Sequence, residues 1–124
     1  MSPVCSENCI AFGGYDPVGF FKSGRAALGS ADHTHEWKGV TWRFGSDENR
    51  QACATDLEAL APQFGGYCSF AMSPGEIAPG DPETSAIVND RLYVNSNSVA
   101  KLLWKVVPGR IDAGDKRWQE VSAD

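Results

Sequence analysis

The sequence predicts an α+β fold: a small antiparallel sheet of hairpins with several short helices packed on it. Three observations predict it. Residues 34–37 and 40–44 are β-type runs split by Lys38-Gly39, a plausible tight turn. Residues 86–88 and 91–94 form a second hairpin around Asn89-Asp90 by the same reasoning. Around these runs lie four or so short helix patterns with caps and Pro-Gly stops, which suits helices covering one side of a small sheet.

The elements follow in chain order. Gly13-Gly14-Tyr15 turns the chain into a short helix that Asp16 caps and Pro17 begins, with Val18, Phe20 and Phe21 as its apolar residues. Residues 23–31 read as a loop or extended link. In the first hairpin His35 and Trp37 share one face of their strand; Val40, Trp42 and Phe44 share one face of the next. Ser46 caps a helix running to about Thr55, with Asp47 and Glu48 in the first turn, where the helix dipole favours acids. Asp56 starts a short helix over 57–60, which Pro62 ends. The stretch Gly65-Gly66-Tyr67-Cys68-Ser69-Phe70-Ala71-Met72 reads as a strand after a glycine turn, with Cys68, Phe70 and Met72 on one face. Residues 96–98 cap a helix whose apolar positions are Val99, Leu102, Leu103 and Val106. Pro108-Gly109 stops it, and a last helix over 111–121 packs through Ile111 and Trp118.

The 124 residues show no repeat and no internal linker, so they read as one domain over residues 10–124 after a cysteine-containing tail, residues 1–9. The net charge is −5 and the 11 basic residues are scattered, which argues against nucleic acid or an anionic membrane as partner. No apolar run approaches the roughly 20 residues of a membrane-spanning helix. Met1-Ser2-Pro3-Val4-Cys5 carries no basic-then-apolar leader, so the expected location is cytoplasmic, or periplasmic if a leader has been removed.

In order along the chain, Gly14-Tyr15-Asp16-Pro17-Val18, Thr34-His35-Glu36-Trp37-Lys38-Gly39, Phe44, Ser46, Glu48-Asn49-Arg50 and Ala61-Pro62-Gln63-Phe64-Gly65-Gly66-Tyr67-Cys68 resemble the YHS-domain proteins, in their small stand-alone bacterial branch. The resemblance continues through Gly80-Asp81-Pro82, Leu92-Tyr93-Val94-Asn95 and Pro108-Gly109 to Trp118, and so covers nearly the whole chain from about residue 10. It implies a small α+β domain related to treble-clef-like modules, with binding of a transition metal, copper or zinc, as the proposed role. Many members of the branch also carry an export signal. The chain departs from the wider family at 44–49, where metal-binding relatives place cysteines and this chain has none. Cys53 falls where relatives have a Phe, which makes it a core position. His35 and Cys68 stay in register; Cys5 and Cys9 lie outside the resemblance.

The metal-ligand candidates are therefore Cys68, His35, Cys9 and Cys5. Together they would make a tetrahedral set, if the N-terminus folds back. A thiolate with the Met72 thioether would instead suit copper(I), a soft ion. Each residue also has a plainer reading. Cys68 is a packed thiol, Met72 fills core, His35 is a hydrogen-bonded strand residue and His33 lies in a loop. The four tryptophans are packing residues. Two other functions stay open: a non-catalytic interaction domain with a structural Cys68, and a thiol-redox protein using Cys5 and Cys9. Catalysis is the less favoured class. There is no Gly-x-Ser-x-Gly elbow or phosphate-cradling loop, and a Cys68–His35 pair is the one nucleophile arrangement that can be drawn.

Overall fold

Asn8 and Cys9 both take left-handed backbone angles, φ 53° and 63°, as a two-residue hairpin turn requires. They fold β1 (Ser6–Glu7) onto β2 (Ile10–Ala11). The computed structural model describes Val4 and residues 6–121. Within that span the segment expected as a tail is part of a sheet over residues 6–9, because its backbone pairs with β2 and the Cys9 carbonyl accepts the Thr41 N–H at 2.8 Å. Cys5 lies outside the described residues.

The fold is α+β. β3 (Ser30–Trp37) and β4 (Val40–Phe44) form the expected first hairpin, and β2 joins the other edge of β4 in parallel. The resulting four-stranded sheet, β1-β2-β4-β3, is mixed rather than antiparallel throughout, because the N-terminal segment supplies its far edge. β5 (Asp81–Val88) and β6 (Arg91–Asn95) make the second hairpin as a separate two-stranded sheet. The helices are α1 (Pro17–Ser23), α2 (Asp47–Thr55), α3 (Leu57–Leu60), α4 (Ser69–Met72), α5 (Ser98–Val106) and α6 (Arg110–Val121). Asp16, Ser46 and Asn97 cap α1, α2 and α5 through side-chain oxygens that accept the N–H of Gly19, Asn49 and Ala100.

One expectation fails here. Residues 65–72 are not a strand. Phe64 and Gly65 take left-handed angles in a 3-10 turn (Gln63–Gly66), and α4 follows at once. Tertiary contact decides this: the Asn95 side chain accepts the Phe70 N–H at 2.9 Å, satisfying a donor that a helix start leaves open. The apolar positions of α5 form the expected stripe, and that stripe faces away from the core. Ala100 and Trp104 are its buried residues, and Val99, Leu102, Leu103 and Val106 are exposed.

Another correction concerns repetition. Phe12-Gly13-Gly14-Tyr15 recurs as Phe64-Gly65-Gly66-Tyr67, and the structure after each copy matches. Each copy makes a left-handed 3-10 turn closed by a Tyr N–H donating to the Phe carbonyl, at 2.9 and 3.0 Å. The next residue, Asp16 or Cys68, donates its own N–H to Ala27 or Ala78, at 2.8 and 2.9 Å. A hairpin follows. Ser30 pairs with Phe44 and Thr34 with Arg43, with a register shift between; Asp81 pairs with Asn95 and Ser85 with Val94, with the same shift. A capped helix of nine residues follows each hairpin, α2 in one half and α5 in the other. The two halves share their packing. Leu92 and Val94 of β6 sit in the cluster built by Phe12, Trp42, Phe44 and Cys53, while Phe64, Tyr67, Met72, Tyr93 and Trp104 form a second cluster with α6 against it.

Candidate functional site

The repeated turn delivers one residue to the mouth of each hairpin. A left-handed Phe costs about 1 kcal/mol; burial of the Phe12 and Phe64 rings offsets this. In the first half the delivered residue is Asp16, buried and fully engaged. Its Oδ1 accepts Gly19 N–H at 3.1 Å, and its Oδ2 accepts Gly45 N–H at 2.8 Å and Asn49 Nδ2–H at 2.7 Å. Gly45 is the residue just after β4.

In the second half the same place holds Cys68, only 2% exposed. Its sulfur accepts the N–H of Ser96, the residue just after β6, at 3.3 Å. Ser96 thus does for the thiol what Gly45 does for the carboxylate. The sulfur also lies 3.7 Å from Asn95 Oδ1, toward which its S–H points as donor. Asn95 stands where the first half has Phe44, and Ala100 where it has Asn49. The side-chain donor that completes the Asp16 site is therefore gone, and an amide has entered from the strand instead. Two buried polar atoms here, Ser69 Oγ and Asn95 Nδ2, have no hydrogen-bond partner among the described residues. Arg43 Nε and Trp104 Nε1, elsewhere in the fold, are likewise buried without a partner among the described residues.

The other buried thiol is a contrast. Cys53 lies in the apolar cluster with Phe44 and Trp42, as expected of a core position. Burial, reinforced by the Asp16 and Asp56 charges, pushes its thiol up to about 12. It stays protonated and inert at neutral pH.

The remaining candidates are dispersed. His35 lies half-buried on β3 opposite Trp42, and is not among the hydrogen-bond partners of the Cys68 sulfur. Cys9 is exposed in the β1–β2 turn. Met72 is fully buried one turn beyond Cys68, its N–H donated to the Cys68 carbonyl at 3.1 Å. His33 sits near Asp47, whose carboxyl is held low first by the Arg50 hydrogen bond. Among the described residues no three His, Cys, Asp or Glu side chains are gathered to hold a metal ion. A four-donor zinc site is not assembled among the described residues.

Asn95 and Ser96 were missed by sequence reasoning. The signal that finds them is the repeated Phe-Gly-Gly-Tyr, which aligns Cys68 with Asp16 and therefore Ser96 with Gly45. No helix among the described residues is long and apolar enough to cross a membrane. Comparison with known proteins finds no matching family model, no matching curated protein and no matching solved structure.

Proposed function

We propose that this domain holds a soft transition-metal ion, copper(I), through the Cys68 sulfur, as a buffering, sensing or delivery module. One observation carries the reading: Cys68 occupies the place that the other half gives to a carboxylate, and it accepts a backbone N–H there just as the carboxylate does. A position organised around an anionic acceptor suits a thiolate, the form of cysteine that binds metals. An N–H donated to a charged sulfur is also stronger than one donated to a neutral sulfur. Met72 is the nearest soft donor along the chain. The resemblance to YHS-domain proteins favours the same chemistry. The ion would bind Cys68 as thiolate, which gives up the S–H donated to Asn95 Oδ1 and keeps the N–H bond from Ser96.

The test is a copper(I) titration under reducing, anaerobic conditions against a competing chelator, with Cys68→Ser beside wild type. Wild type is expected to take up about one equivalent and Cys68→Ser almost none. Copper is also expected to raise the unfolding midpoint of wild type alone, since a ligand bound only by the folded state stabilises it. If both proteins bind equally little, Cys68 is a packing residue and the reading falls.

A further inference from the structure

We propose that the exposed face of α5 docks an acidic amphipathic helix of a partner protein. The face consists of Val99, Leu102, Leu103 and Val106, which are 67%, 59%, 39% and 62% exposed. They recur at i, i+3, i+4 and i+7, the spacing that lines one side of a helix and seats a second helix along it.

The other half of the molecule supplies an internal control. α2 is the counterpart of α5, and its buried residues, Asn49 and Cys53, stand where α5 has Ala100 and Trp104. The positions matching the α5 stripe are Glu48, Gln51, Ala52 and Thr55, all exposed and none a large apolar residue. The same fold at the same helix thus tolerates a polar face. The apolar face of α5 is not required by packing, and water is its poorest neighbour.

Charge selects the occupant. α5 contains no acidic residue; Lys105 borders the stripe beside Leu102, and Lys101, one turn back, lies between Lys105 and the buried side of the helix. A second copy laid face to face would bring the two Lys105 side chains beside the seam with no acid on either helix to meet them. Size points the same way. Four such side chains offer on the order of 400 Å² of apolar surface, short of the roughly 800 Å² per partner that a stable dimer buries. A single helix with an apolar seam and Glu or Asp along its edge matches both the area and the charge.

The probe is a synthetic helical peptide with leucines at i, i+3, i+4 and i+7 edged by Glu, and a control with the same leucines edged by Lys. The protein is wild type and the triple variant Val99→Glu, Leu102→Gln, Val106→Thr, which copies α2 and should fold. Wild type is expected to bind the acidic peptide at least about tenfold more tightly than the basic one, and the variant to lose at least about tenfold with its unfolding midpoint kept. Equal binding of the two peptides, or no binding, overturns the proposal. So does a wild-type dimer in sedimentation, or binding to phosphatidylserine vesicles, that the variant abolishes: the occupant is then a second copy or a membrane.

Discussion

Asn49 donates from Nδ2 to Asp16 Oδ2 at 2.7 Å, a buried bond that ties the first helix to the second across 33 residues of chain. The same carboxylate takes the Gly19 and Gly45 N–H groups, so one side chain joins α1, the end of β4 and α2. Removing it leaves three donors unpaired. Asp16→Ala is expected to cost about 3 kcal/mol and Asn49→Ala about 2 kcal/mol in urea unfolding. The double variant should cost less than the sum by about 1 kcal/mol or more, because both changes break one shared bond. Simple additivity would mean that the two side chains are not coupled.

Gly29 and Gly80 precede the two hairpins, and at each a Cβ would strike backbone: Arg43 C at 2.5 Å, and Gly66 O at 2.3 Å. Gly29→Ala and Gly80→Ala should each lose about 3 kcal/mol or more, since backbone cannot step aside as a side chain can. Gly39 has open space but φ +78°, so Gly39→Ala should lose only about 1 kcal/mol. Thermal unfolding ranks the three.

Cys68 also makes a stability prediction that does not depend on any metal. In Cys68→Ala the Ser96 N–H loses its acceptor and Asn95 Oδ1 its second donor; in Cys68→Ser both can be kept. Alanine should cost about 2 kcal/mol, with serine recovering part of that. Equal losses would show that the thiol contributes volume alone.

Cys53 sets a limit at alkaline pH. Its folded value, about 12, lies above the ordinary 9.0, so the folded state keeps a proton that the unfolded state gives up. Stability from this group is intact below about pH 9 and falls as pH rises toward 12. At pH 10, one unit above the unfolded value, the loss is about 1 kcal/mol. Cys53→Val should flatten that part of the stability–pH curve, as read by urea unfolding at pH 8 to 10.5.

Local chemistry made much of the fold legible. Asp16-Pro17, Ser46 and Asn97 announce helix starts, and Lys38-Gly39 and Asn89-Asp90 announce hairpins whose turn residues all have positive φ. These are contests a few residues long, and local propensity settles them. Residues 65–72 were misread because their outcome rests on Asn95, far along the chain, which satisfies the start of α4. The α5 stripe was legible as a face but not as an exposed one, because periodicity reports that a face is apolar without reporting what it meets. The candidate site was half legible. Cys68 stood out as a thiol after two glycines, while its sulfur's partners come from the end of a strand that only pairing brings there.

The shared packing of the halves bears on synthesis. Leu92 and Val94 are fully buried in the cluster that Phe12, Trp42 and Phe44 begin. A nascent chain that has emerged only through the first hairpin and α2 carries that cluster open to solvent. It stays open until β6 leaves the ribosome, so the first half cannot mature ahead of the second. During that interval the growing polypeptide exposes apolar side chains to other chains, and this is when it is most open to aggregation and to capture by chaperones.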